Sequence, residues 1–181
     1  MRIFGVDPGS QRTGFGCIET NGSRYKIVIS GVLEPPPDIP FSQKLLFIHE
    51  GLSDLLTKYR PDVMAIENLF FARNARSALI LGHVRGVLIL AAAEKKISVS
   101  EYSPTEVKRA VVGYGRAEKS QVQQMVMLLL GLEVAPSPLD VSDALGVAIC
   151  HGNSIGTLGK PEQQSQGSRS WRDYKVKEQS K

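Results

Sequence analysis

The spacing of apolar and polar positions changes several times along the chain, and each change marks an element. Residues 2–6 form a short apolar run that ends at Asp7 and meets Pro8-Gly9-Ser10, a strong turn signal. Residues 13–19 and 25–33 are rich in Val, Ile, Phe and Tyr, with turn residues between them. The three runs predict three successive strands in an antiparallel meander, stopped by Pro35-Pro36-Pro37. Phe41, Leu45, Ile48, Leu52, Leu55 and Leu56 then recur at helical spacing, so 41–58 is predicted as an amphipathic helix that Pro61 breaks. Val63-Met64-Ala65-Ile66 is a continuous apolar run ending at Glu67, the pattern of a strand buried on both faces.

The second half alternates. Residues 75–94 are Ala- and Leu-rich and read as a helix, 97–102 as a fifth strand, and Pro104 as a helix start with Ser103 as its N-cap. Two further helices are expected at 118–130 and 139–150, with Gly113 and Gly115 bracketing a loop expected to be mobile. Three strands followed by alternating helix and strand give an α/β fold: a five-stranded mixed sheet, three antiparallel strands then parallel ones, with helices on both faces.

Composition adds the domain plan. The 181 residues suit one domain with a sizeable core. Apolar content falls away after about Asn153, so residues 1–154 read as the folded domain and 155–181 as a polar, basic, disordered tail. The net charge of +4 lies mostly in that tail: residues 1–154 carry 16 basic against 15 acidic residues, and 155–181 carry 6 against 3. A nearly neutral body excludes bulk charge as a nucleic-acid signal, so such a signal has to come from local patches. Two cysteines, Cys17 and Cys150, show neither metal spacing nor a disulfide framework. The N-terminus runs straight into a strand, and the longest apolar stretch, 87–93, is too short to span a bilayer. A cytoplasmic protein without a membrane partner is expected.

Four carboxylates stand out against this background. Asp7 ends the first strand and Glu67 the fourth, while Asp140 and Asp143 open the last helix at i, i+3, on one face. Sites in open α/β sheets form beyond the carboxyl ends of central strands, so Asp7 and Glu67 meet there if their strands are neighbours, and the last helix then brings Asp140 and Asp143 to them. Four such groups repel one another and resist ionisation. Hard divalent cations such as Mg²⁺ relieve that conflict, and two of them about 4 Å apart can activate water at a phosphodiester. Each acid also has a plainer reading: Asp7 as a turn former, Asp140 and Asp143 as first-turn acids favoured by the helix dipole. Glu67 is harder to explain that way, because Glu is a poor strand residue.

Asp7-Pro8-Gly9-Ser10 with Thr13-Gly14-Phe15-Gly16 resembles the first motif of the RuvC family of Holliday-junction resolvases. Ala65-Ile66-Glu67-Asn68-Leu69-Phe70-Phe71-Ala72-Arg73-Asn74 resembles the second. Ala117-Glu118-Lys119-Ser120-Gln121-Val122-Gln123 and Leu139-Asp140-Val141-Ser142-Asp143-Ala144-Leu145-Gly146-Val147-Ala148-Ile149 resemble the later ones. The motifs run in order over roughly residues 1–152. The resemblance implies an RNase H-like fold, a homodimer, and paired symmetric nicks in four-way junction DNA during recombination and repair. It implies two Mg²⁺ per subunit, with Mn²⁺ as a substitute, held by Asp7, Glu67, Asp140 and Asp143, and the branch-migration complex RuvA–RuvB as a partner.

The DNA-facing candidates lie in two basic stretches. No acidic residue occurs between Asn68 and Ala93, where Arg73, Arg76 and Arg85 supply positive charge beside Phe70 and Phe71. Aromatics beside cations can stack on unpaired bases while the cations hold phosphate; a pair of core phenylalanines is the alternative, and the resemblance singles out Phe70. Lys108, Arg109, Arg116 and Lys119 form the second set, interrupted only by Glu118. By resemblance Lys108 and Lys119 lie near the scissile phosphate, with Lys119 in the catalytic set; a solvated helix face is the plain reading. His49, His83 and His151 have no ligand spacing and read as structural. Ala75, Ala78, Leu79, Gly82, Gly86 and Leu90 form a small apolar stripe, either core packing or a dimer face. Three rivals are weighed: a YqgF-type nuclease of RNA processing, an actin-like ATPase or sugar kinase, for which 181 residues are too few, and a non-catalytic junction-binding protein.

Overall fold

A computed structural model describes residues 1–22, 24–68 and 75–157. Strands β1 (Arg2–Asp7), β2 (Thr13–Thr20) and β3 (Tyr25–Leu33) lead into helix α1 (Phe41–Tyr59), strand β4 (Val63–Glu67), helix α2 (Ala75–Glu94) and strand β5 (Ser98–Tyr102). Helices α3 (Pro104–Val112), α4 (Lys119–Leu129) and α5 (Leu139–Thr157) follow. The sheet order is β3-β2-β1-β4-β5. β1–β2 and β2–β3 are antiparallel, whereas β1–β4 and β4–β5 are parallel. This is the mixed five-stranded sheet that the chain pattern predicts.

Period-two alternation sorts the strand residues between two cores. Phe4, Val6, Met64 and Ile66 pack with α1 and α2 on one face; Ile3, Val63 and Ala65 pack with α3, α4 and α5 on the other. All of these strand residues are at most 6% exposed, which is why their runs are apolar without a break. The same parity puts the side chains of Asp7 and Glu67 on the α5 face, in line with Ile3 and Ala65 respectively.

That face has a floor without side chains. In the register Gly5 pairs with Gly16 and Asp7 with Gly14, so Gly5, Gly14 and Gly16 form one bare patch, and α5 lies directly on it. A Cβ on Gly14 would sit 2.1 Å from the carbonyl oxygen of Asp140, one on Gly5 2.0 Å from that of Ala144, and one on Gly16 2.5 Å from the Leu145 side chain. Glycine inside a strand marks such a close backbone approach.

Several local expectations are met and several are revised. Ser103 caps α3: its Oγ accepts from the Glu106 amide at 3.3 Å while the Glu106 carboxylate accepts from the Ser103 amide at 2.7 Å. The connection around Gly113 and Gly115, expected to be a mobile loop, is a short turn that exposes Gly113, Tyr114 and Arg116. Gly113 closes α3 in the left-handed conformation (φ 95°), Gly115 abuts Thr105, and Ala117 is buried. α5 continues to Thr157 where 150 was expected, so the domain boundary drawn at 154 falls inside a helix. Asn153 explains the extension: its Nδ2 donates to the Ala110 carbonyl at 2.9 Å and its Oδ1 accepts from Tyr25. The expected tail from residue 158 onward lies outside the described residues.

α2 is unusual. By length and composition it is apolar enough to cross a bilayer, with 22% of its most apolar window buried, although no single run in the sequence is long enough. Val84, Leu88, Ala91 and Ala92 face the core. Ala78, Leu79, Gly82, Gly86, Val87 and Leu90 line a shallow groove of about 460 Å³ on the other side, and Leu79 and Leu90 are exposed.

Candidate active site

The parallel pairing of β1 with β4, in which Val6 faces Ile66, sets Asp7 beside Glu67 at the carboxyl ends of two central strands. α5 begins over Gly14, the partner of Asp7, and delivers Asp140 and Asp143 from its first two turns. The four carboxylates therefore converge because of strand parity, strand order and the glycine floor.

Electrostatics reports how close they are. Burial pushes the Asp7 carboxyl up to about 8, and the charges of Glu67, Asp143 and Asp140 push the same way against Lys119. Glu67 is raised as well, chiefly by burial and then by Asp143, with Lys119 and Lys108 opposing. Lys119, at the start of α4, donates to Asp143 Oδ2 at 2.7 Å, and this bond raises its ammonium above the usual value. Among the described residues, no three His, Cys, Asp or Glu side chains gather tightly enough to hold an ion. The carboxylates are electrostatic neighbours; they do not form a closed ligand cage, and a cation, Lys119, already leans on one of them. An all-oxygen donor set carrying this much unrelieved repulsion fits a hard divalent cation.

The other predicted residues fall as follows. Lys108, on α3, is half-buried, and its charge reaches Glu67. Arg109 is exposed and lines a separate recess of about 560 Å³ with Tyr102, Glu106 and Asn153. Arg116 is exposed on the α3–α4 turn, and Arg76 is exposed in the first turn of α2. Phe70, Phe71 and Arg73 lie outside the described residues. The histidines pack away from the carboxylates: His49 on Glu94, His83 on the Leu79 carbonyl and Phe41, His151 on Tyr102.

Arg85, counted among the basic DNA-facing residues on sequence grounds, is turned inward. Its guanidinium donates to the Glu67 carbonyl and pairs with Glu101, each at 2.6 Å. Sequence reasoning missed Arg12, whose guanidinium meets Glu34 at 2.9 Å and Asp140 at 3.7 Å. It also missed Gly5, Gly14 and Gly16 as positioning residues, although glycines at alternate strand positions were a legible signal.

A mixed sheet of this order, with acids at the ends of its two central strands and a last helix bringing more, defines the RNase H-like class. The family described as "Crossover junction endodeoxyribonuclease RuvC" matches residues 3–151. Proteins of that name from Desulforamulus reducens and Ruminiclostridium cellulolyticum are 50% and 49% identical to this chain over 159 and 154 residues. Those matches span 88% and 85% of this chain and 98% and 93% of the relatives. The solved structure of Thermus thermophilus RuvC in complex with Holliday junction substrate superposes with a TM-score of 0.83 at 32% identity, covering 87% of this chain and 96% of that one. The yeast mitochondrial Holliday junction resolvase Ydc2 shares the fold, with a TM-score of 0.61 at 14% identity. The chain belongs to the RuvC family of crossover junction endodeoxyribonucleases, and the RNA-processing and kinase alternatives fall away.

Proposed function

We propose that this chain resolves four-way DNA junctions by paired, symmetric, Mg²⁺-dependent nicks in recombination and repair. The observation that carries the reading is the convergence of Asp7, Glu67, Asp140 and Asp143 on one sheet face in a member of this family. These carboxylates would hold two Mg²⁺, with Mn²⁺ as a substitute; when bound, such ions activate water and stabilise the leaving oxygen. Burial of Asp7 and Glu67 excludes bulk water from the inner side of the site and sharpens every charge there. Lys119, two-thirds exposed, has its outer side open to meet a phosphate oxygen and offset charge developing on it. Lys108 stands at the same rim. Arg76, Arg109 and Arg116, together with Phe70 and Arg73 on sequence grounds, complete the DNA-facing set.

Two cuts in two like strands need two such sites, and a closed two-fold dimer supplies them. The exposed stripe of α2 is the proposed subunit face. Its small residues leave open space, since a Cβ on Gly82 or Gly86 would meet nothing within 4 Å. Burial of the opposite side of the helix against the sheet speaks for a protein partner over a bilayer. By family resemblance the reading extends to cytoplasmic action with RuvA–RuvB. The test is to offer the full chain, with Mg²⁺, a four-way junction, a linear duplex and RNA. Paired cuts in the junction alone are expected. Equal cutting of the duplex or RNA, or no cutting, overturns the reading.

A further inference from the structure

Arg85 leaves α2 at the seam between its buried face and its exposed stripe, and its side chain is only 13% exposed. One nitrogen, Nη1, donates to the Glu67 carbonyl at 2.6 Å. The other, Nη2, meets Glu101 Oε2 at 2.6 Å. These acceptors belong to neighbouring strands: in the β4–β5 register Ile66 faces Glu101 and Glu67 faces Tyr102. On the far side, the amide of Asn68 donates to the Tyr102 carbonyl at 2.7 Å. The single peptide unit that joins Glu67 to Asn68 is thus held at both ends, its N–H by β5 and its carbonyl by a guanidinium from α2.

We infer that Arg85 is a positioning residue, which fixes the main chain of Glu67 and thereby ties the metal site to the helix that carries the proposed subunit face. The inference rests on the nuclease reading of the site. A planar guanidinium bonded to two acceptors sets the angle between them, which an ammonium cannot do. A charged donor on a carbonyl also makes a stronger bond than a neutral one. While both bonds stand the main chain at Glu67 is held, so its side chain leaves the strand end from one fixed point, on the side of Asp7 and Asp143. Any shift of α2 along its axis pulls on that carbonyl.

The test uses the full chain and three variants, R85M, R85K and E101Q. R85M keeps the aliphatic stem, and Glu101, nearly half exposed, stays solvated without its partner. Expected for R85M are a melting temperature lowered by only a few degrees for the lost carbonyl bond, and a dimer mass and metal-free junction binding like those of the wild type. Mn²⁺ affinity by calorimetry is expected to fall about ten-fold, the usual effect of losing an outer support of a metal ligand. Single-turnover cleavage should fall in step, with a raised Mg²⁺ requirement. R85K should recover part of both losses, and E101Q, which spares the carbonyl bond, should lose less than R85M. Wild-type Mn²⁺ affinity and cleavage in R85M overturn the inference. Where R85M does not fold, R85K carries the test: intermediate values support the inference and wild-type values overturn it. Failure of the wild type itself to cut junctions overturns the nuclease reading instead, and the Mn²⁺ titration still decides the role of Arg85.

Discussion

Replacing Asp7 with Asn should stabilise the metal-free protein, although it removes a group central to the site. The folded state holds the Asp7 carboxyl at about 8 against an ordinary 3.8. Between those values the folded chain binds a proton that the unfolded chain has lost. Stability therefore falls as pH rises through that window, by about 1.4 kcal/mol per unit. At pH 7 the ceiling is about 4 kcal/mol. Rotation of Glu67 and Asp143 away from Asp7 relieves part of the repulsion and leaves about 2 kcal/mol, or about 4–8 °C in melting temperature for a domain of this size. D7N carries none of this dependence. Thermal melts in EDTA from pH 4 to pH 8 should show the two proteins together at pH 4 and diverging steadily, D7N the higher. Saturating Mg²⁺ should close the gap, because only the wild type gains from binding the ion. D7N melting at or below the wild type at pH 8 in EDTA would refute the reasoning.

Three further outcomes are expected. Glu67→Gln should abolish junction cutting yet leave junction binding in a gel shift intact, since separate basic residues hold the DNA; full cutting in Mg²⁺ would sink the assignment. Gly14→Ala places a Cβ 2.1 Å from the Asp140 carbonyl, so it should cost about 1–3 kcal/mol in denaturant melts and most of the cleavage. Wild-type values for both would mean that α5 does not rest on this strand. A Cβ at Gly82 meets nothing within 4 Å in its own subunit, so Gly82→Arg, its long side chain directed to solvent, should leave the melt of the monomer unchanged and weaken the dimer in native mass spectrometry. It should also turn paired incision of a cruciform plasmid into single nicks, and an intact dimer would remove α2 from the interface.

The sheet was legible because burial on both faces leaves a strand no polar position: Val63 to Ile66 and Ile3 to Val6 read directly. Glu67 was legible as an anomaly at the end of such a run. Its partners were harder, since helix acids such as Asp140 have an ordinary use at helix starts, and only the strand order brings them to Asp7. Gly5, Gly14 and Gly16 escaped because a pattern built on side chains passes over positions that have none. Arg85 was misplaced because a run of positive charge in the chain says nothing about which way each side chain leaves a helix. The end of α5 was cut short at 150 because Asn153 looks like tail until Tyr25 and Ala110 are seen to bond it.

A helix laid on bare main chain has no intervening rotamers to shuffle. At Gly5 and Gly14 the distance from α5 to β1 and β2 is a hard stop between backbone atoms, with no soft layer there that temperature or a neighbouring substitution can compress. Repacking elsewhere in either core can proceed without altering that gap. The spacing of Asp7 from Asp140 and Asp143 therefore behaves like a machined fixture, set by main-chain atoms at Gly5 and Gly14.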